Sequence, residues 1–363
     1  MLLKRIDTYI IKKFLGTYVF SIVLILSIAV VFDINEKLDK FMSNSAPLHA
    51  IIFDYYLNFV PYFANLFSAL FVFISVIFFT SNLAGNSEFI AMLASGTSFK
   101  RIMRPYMISA AIIAVFNFAL SAFIIPPSNK AMQDFLQTYV KKRPLSEAQL
   151  DIQFEVEKNV IVYISRFESA ENTGYRFSLE KFDGKQLKSR LTASTIKYDS
   201  GNVWTVRNYM IRNFDGMREN IIKGEVNAPM DTTIQMDPSD MKASEGLSTE
   251  MTSTQLKHYI NKQRGRGIGN LSEFEIEYHR RFARSLAAFI LTAIGLSLAS
   301  QKRKGGMGLH LGIGLGLSFS YILFDTVSST FAVNGGMNVM LAVWLPNLVY
   351  TLIAVVLYRN APK

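Results

Sequence analysis

The sequence predicts a membrane protein: an α-helical transmembrane domain of six spans, three on each side of an inserted periplasmic antiparallel β domain, jelly-roll-like in type. Three observations carry that prediction. Apolar residues gather into blocks of about 20, the length a helix needs to cross roughly 30 Å of hydrocarbon. Basic residues collect beside those blocks on alternate loops. One long insertion between the third and fourth blocks changes to short β-rich runs separated by turn signals. Half of the 363 residues are hydrophobic, 29 are Phe, and the mean hydropathy is +0.23, a composition unusual for a soluble chain.

Taken in order, Leu2 to Lys13 sets Leu2, Ile6, Tyr9 and Ile10 on one helical face and Lys4, Arg5, Lys12 and Lys13 largely elsewhere. That is the pattern of a helix lying in the headgroup layer. It leads into a first span, Phe14 to Phe32, which reads as an uncleaved anchor because Ser27-Ile28-Ala29 is a poor signal-peptide cleavage site. Further spans are expected at Leu57 to Thr80, Pro105 to Ile125, Ala283 to Ser300, Leu309 to Phe331 and Met337 to Tyr358. Basic residues sort to one side at Lys4, Arg5, Lys12 and Lys13, at Lys100, Arg101 and Arg104, at Lys302, Arg303 and Lys304, and at Arg359 and Lys363. The loops Phe41 to Tyr56 and Ala332 to Gly336 carry almost none, so both termini are expected in the cytoplasm and the insertion in the periplasm.

Within the insertion, Pro126 to Arg281, strands are expected at Val160 to Phe167, Tyr175 to Phe182, Gln186 to Tyr198 and Asn202 to Phe214. Asp183-Gly184 and Asp215-Gly216 mark turns between them. Helical character returns at Ser253 to Arg264, and Ser272 with Glu275 forms a capping box that opens a helix running into the fourth span. The resulting plan is residues 1–125 for an interfacial helix and spans one to three, with a short cytoplasmic helix at 86–96. Residues 126–252 form the β domain, 253–282 a helical stalk, and 283–363 spans four to six.

Several functions lack their residues. With no cysteine, disulfides, thiolate zinc sites and Cys nucleophiles are unavailable, and four histidines leave little for metal ligation. A net charge of +10 is spread beside the apolar blocks instead of forming a nucleic-acid patch. No G-x-x-x-x-G-K-[ST] phosphate cradle is present, since Gly305-Gly306-Met307-Gly308 lacks the lysine. There is no H-E-x-x-H, and Asp325 is a single intramembrane carboxylate without the second one an aspartyl protease requires. The chain is expected to be non-catalytic, with no catalytic, metal or cofactor-binding residue of its own.

Three constellations remain. Asn86 to Gly96 reads as a short capped helix in which Asn86 or Ser87 starts it, Gly96 ends it, and Phe89, Met92 and Leu93 share an apolar stripe. Such a helix suits docking into a partner's groove, or it is an ordinary interfacial loop helix. In the fifth span, Gly308, Gly312 and Gly316, continued by Ser320, are spaced for close helix packing, while Ser318, Tyr321, Asp325 and Ser329 form a nearly opposite polar face. A carboxylate in hydrocarbon costs about 3 kcal/mol on insertion scales, so Asp325 is expected to face a lipid cavity, its gate or a neighbouring helix. At the outer end of span one, Lys37 and Lys40 sit three apart beside Asp33, Glu36 and Asp39, placed either for an anionic headgroup or for a plain Glu36 to Lys40 pair.

These segments together resemble the LptF and LptG lipopolysaccharide export permeases over essentially the whole chain. The likeness rests on Ile6-Asp7-Thr8-Tyr9-Ile10, on Ser87-Glu88-Phe89-Ile90-Ala91-Met92-Leu93-Ala94-Ser95-Gly96, and on Met236-Asp237-Pro238. It continues through Thr254-Gln255-Leu256-Lys257-His258-Tyr259-Ile260 and Tyr278-His279-Arg280-Arg281-Phe282. The start and the outer end of span one look somewhat more like LptG. LptG proteins carry a basic cluster there, however, whereas Asp33 and Asp39 are interspersed here with Lys37 and Lys40.

The resemblance implies a periplasmic jelly roll and pairing with a second LptF/LptG-type permease above two LptB-type ATPase subunits. It also implies a single-span LptC-type partner and a periplasmic bridge protein that receives the lipopolysaccharide. The helix after span two would be the coupling helix on the ATPase, its acidic residue matching Glu88, and spans one and five would form lateral gates. Two rival readings stand beside this one. A lipoprotein-release or mechanotransmission permease commonly has four spans, and a membrane scaffold would not transport at all.

Overall fold

The first apolar block forms one helix, Arg5–Ser43, so the stretch read as a separate headgroup helix is the beginning of span one. Nothing between Lys13 and Phe14 breaks the hydrogen-bond ladder. At 39 residues the helix reaches about 58 Å, well beyond the hydrocarbon, and both ends stand clear of it. This computed structural model describes residues 4–140, 149–169, 171–216, 218–241, 246–265, 271–300, 306–334 and 336–361. Leu2, Lys302, Arg303, Lys304, Gly305 and Lys363, used above for topology and motif reading, lie outside them.

Among the described residues, six helices are long and apolar enough to cross a membrane: Arg5–Ser43, Ser68–Gly85, Phe99–Tyr139, Ser272–Ala299, Gly308–Val333 and Val339–Arg359. They are called spans one to six. The second differs from expectation. Ile51–Tyr56 is π-helical, Leu57–Leu66 carries Pro61, and the helix breaks at Phe67 before the span proper begins. Pro61 has no N–H to give Leu57, so this approach is a segmented rod. The third runs past its expected end, because a π-helical turn at Leu120–Ile124 leads into Ile125–Tyr139. Pro126 and Pro127 fall in the first turn of that last segment, where a missing N–H is tolerated.

The chain divides into two units, Met1–Phe135 with Ser248–Ser253 and Ser272–Lys363, and Leu136–Leu247 with Thr254–Leu271. In the first, Phe71, Phe73, Val76 and Ile77 of span two pack with Leu291, Ile294 and Leu296 of span four as a fully buried core. A Cβ on Gly295 would lie 2.9 Å from Val76 Cγ1, and one on Gly314 would lie 2.1 Å from Ile77 Cδ1. Those glycines let spans four and five close on span two. Spans two and four are 72% and 67% buried over their apolar windows, spans one and five only 22% and 28%, so the latter two present long apolar faces outward.

The second unit holds seven antiparallel strands among the described residues: β1 Gln149–Glu157, β2 Val160–Glu168, β3 Thr173–Asp183, β4 Gln186–Ser200, β5 Val203–Asp215, β6 Arg218–Lys223 and β7 Pro229–Thr233. Sequence neighbours pair from β1 to β6, and the free edge of β5 is shared between β6 and β7. Gly184 and Gly216 turn the chain at φ of +60° and +58°, where glycine alone pays no Cβ penalty. Inward residues Val162, Ile164, Phe167, Phe177, Ile196, Trp204 and Val206 form the core, and Trp204 Nε1 donates to Met236 O at 3.1 Å. The expected stalk is divided: helix Ser253–Gly265 lies, from Thr254 on, in the sheet's unit, whereas Ser272 begins the helix of span four.

Candidate functional site

The loop helix between spans two and three is Glu88–Ala94. Its end is as expected. Gly96, at φ +81°, donates to Leu93 O at 3.0 Å, and Thr97 N–H reaches Met92 O at 3.3 Å, the two bonds of a Schellman turn. Its start is not, because Ser87 occupies the N-cap position at φ +59° and makes no capping bond. Side-chain capping needs extended backbone there. The stripe also faces the other way. Phe89 is fully buried against Phe99, and Met92 and Leu93 pack on the same core, so these residues hold the helix to the bundle. The face left outward is Ile90, Ala91 and Ala94. Glu88 is half-buried and accepts a long hydrogen bond from the Tyr9 hydroxyl at 3.5 Å.

Beside it lies an ion pair that the sequence did not single out. Arg101, in the first turn of span three, grips the Asp7 carboxylate with both Nη atoms at 2.6 Å, and Asp7 also accepts from Lys4 N–H at 2.9 Å. This bidentate clamp ties the start of span one to that of span three.

In span five the two predicted faces exchange partners. Gly308, Gly312 and Gly316 meet nothing within 4 Å, so in this chain close packing falls to Gly314, which was not in the row. The polar face points into the bundle. Ser318 is fully buried and back-bonds to Gly314 O at 2.9 Å, and the Tyr321 hydroxyl donates to Asn347 Oδ1 at 2.9 Å. Ser329 Oγ is buried with no partner among the described residues. Asp325, 5% exposed, accepts from Arg284 Nη2 at 3.1 Å and lies 3.8 Å from Arg280 Nε, both through Oδ2. Its neighbours are therefore two arginines of span four. The sequence marks neither as a counter-charge, for Arg280 falls in the Tyr278 to Phe282 motif and Arg284 at the start of an apolar block.

At the end of span one, Lys37 is committed to Asp33 and to the Tyr55 hydroxyl, while Lys40 stays exposed. Asp33 further accepts from Tyr55 at 3.2 Å and Tyr56 at 3.1 Å. Burial first, then the Asp33 charge, push both phenols up, so they stay protonated donors. Phe41, Tyr55 and Phe135 pack edge-on or tilted about this knot with ring centroids 5.3 to 5.7 Å apart. The pair formed is Asp33 with Lys37, not Glu36 with Lys40.

Six apolar spans with an antiparallel sheet inserted in the middle of the chain define a multi-pass membrane protein that carries a β domain. Residues 8–360 match the family described as Lipopolysaccharide export system permease LptF/LptG, and the chain belongs to that family. Comparison with curated protein sequences finds no match. Membership of a transport-permease family carries a role in lipopolysaccharide export.

Proposed function

We propose that this chain is the transmembrane subunit of an ATP-driven complex that extracts lipopolysaccharide from the outer leaflet of the inner membrane and passes it to a periplasmic bridge. The observation that carries this reading is the family match over residues 8–360, spanning both halves of the bundle and the β domain between them. Because the sequence has no phosphate cradle, hydrolysis falls to a separate pair of LptB-type ATPase subunits. They dock on Glu88–Ala94 through Ile90, Ala91 and Ala94, with Phe89, Met92 and Leu93 transmitting the movement into the bundle to which they are packed.

A second LptF/LptG-type permease meets the outward faces of spans one and five. There the open row Gly308, Gly312 and Gly316 permits close approach, and an LptC-type single span joins the same apolar flank. Lipid enters between these faces. Asp325, with Ser318, Tyr321 and Ser329 behind the gate, sets its polar lining, and the exposed Lys40 meets headgroups while Lys37 serves the latch at Asp33. No cofactor is assigned to this chain.

The test is ATP-dependent release of labelled lipopolysaccharide from proteoliposomes holding the chain with its copurified ATPase. Release above the ATP-free control is expected. Ile90→Asp should abolish it while leaving the chain inserted, since a charge forced into an apolar groove costs several kcal/mol. No ATP-dependent release from the wild-type complex would refute the transport reading, and full release with Ile90→Asp would refute the docking face.

A further inference from the structure

We propose that Arg280 and Arg284 form a phosphate site for the transported lipid and that Asp325 is its built-in competitor, holding the guanidinium pair until a lipid phosphate displaces it and reclaiming the pair on release. The inference rests on the permease reading above. Its ground is a charge imbalance. Arg280 and Arg284 are four residues apart on span four and therefore share a face, and a single carboxylate oxygen, Asp325 Oδ2, serves both at 3.8 and 3.1 Å. Glu277 on the same helix also acts on both arginines by its charge, but its hydrogen bond goes to Arg281 Nε at 3.0 Å. Arg281 spends its remaining donors on Ser253 Oγ and on the carbonyls of Met251 and Ser248. Arg280, Arg281 and Arg284 thus share the two carboxylates Asp325 and Glu277, one positive charge remains over, and Arg280 Nε is buried without a hydrogen-bond partner.

Accessibility gives the direction of approach. The side chains of Arg280 and Arg284 are 24% and 28% exposed and that of Asp325 is 7%, so the arginines are the more accessible partners and the carboxylate is the more deeply buried one. An arriving anion meets the arginines first. Guanidinium presents planar paired donors that match a tetrahedral phosphate bidentately, and a phosphate offers more acceptor oxygens than the one Asp325 atom now shared. Placement on spans four and five favours a phosphate carried by a lipid over one dissolved in water. Exchange between Asp325 and phosphate keeps the guanidinium pair compensated in both states, and the cost of leaving the buried Asp325 carboxylate unpaired draws the pair back to it on release.

The test titrates the full chain, purified with its partner subunits in phosphatidylcholine nanodiscs, with fluorescent lipopolysaccharide and with the same lipid stripped of phosphate. Arg280→Gln should weaken the phosphorylated lipid about tenfold and leave the stripped lipid unchanged. Asp325→Asn, having lost the competitor's charge, should bind the phosphorylated lipid about tenfold more tightly and release it more slowly under ATP. The double variant should return towards wild type. Equal weakening of both lipids by Arg280→Gln, or weaker binding by an intact Asp325→Asn complex, overturns the proposal. Where Asp325→Asn does not assemble, the Arg280→Gln comparison of the two lipids decides it. Displacement of the lipid by millimolar inorganic phosphate would assign the pair to a soluble anion and also overturn it. A wild-type complex that binds neither lipid would instead refute the permease reading.

Discussion

Asp33 and Asp325 both lie near the end of a span, on the same side of the membrane by the parity of the spans, and their surroundings differ in one respect that matters. Asp33 faces one lysine and two tyrosine hydroxyls, so its own charge is balanced one for one and walled by aromatic rings. Asp325 faces two arginines and leaves a positive charge over. A balanced cluster behaves as a latch, because opening it separates partners that satisfy one another. An unbalanced one retains capacity for another anion. The same residue type thus serves closure in one place and recruitment in the other, and the counter-charge count distinguishes them.

The side of the membrane that both clusters face gives the largest effect. In this cysteine-free chain, Ser178→Cys should react with an impermeant thiol reagent in spheroplasts and Ser98→Cys should not, an all-or-none difference. The reverse pattern would invert the orientation.

The next effect separates the clusters by stability. Arg284→Leu strands the buried Asp325 carboxylate beside the weaker Arg280 contact and should destabilise the chain by about 3 kcal/mol, read as lost monodisperse protein after heating in detergent. Adding Asp325→Leu should restore most of it, since an apolar pair needs no compensation. Failure of that rescue would mean the carboxylate has a further structural partner.

Asp33→Asn keeps an acceptor for Tyr55 and Tyr56 and loses only the charge facing the partly exposed Lys37, so a loss of about 1 kcal/mol is expected in the same assay. A loss as large as that of Arg284→Leu would erase the distinction between the two clusters.

The smallest effect concerns a third acidic residue, Glu250, which has neither kind of partner set. Burial, then the nearby Asp134 charge, raise its pKa, and Lys130 offsets this only in part. Raised in the folded state, it favours folding at low pH, and this contribution is lost as pH climbs from the ordinary glutamate range through the raised value. Glu250→Gln should therefore flatten the melting temperature across that window and raise it slightly at neutral pH. An unchanged pH profile would remove Glu250 from the account.

Much of the architecture was legible along the chain. Apolar block length marked six spans, the Gly96 stop ended the loop helix, and β-rich runs with Asp-Gly turns located four strands. Strand β1 was legible too and was missed, for Leu150, Ile152, Phe154 and Val156 alternate as a half-buried strand should. The functional faces were not legible. Period-3.6 spacing told which residues of span five share a side, but Gly312 and Gly314 are two residues apart in one glycine-rich helix, and only the position of Ile77 decides which of them is packed.

What the sequence alone determined is what depends on local composition: span number and order, the inserted β domain, the loop helix and the family resemblance. A 20-residue apolar block, an alternating run or a glycine stop acts through its own hydrogen bonds and its own transfer from water, wherever its neighbours lie. Tertiary structure alone decided the pairings: Asp7 with Arg101, Asp33 with Tyr55 and Tyr56, and Asp325 with Arg284 and Arg280. These join residues from 22 to 94 positions apart, and a charge's interaction falls steeply with a distance that sequence separation does not encode.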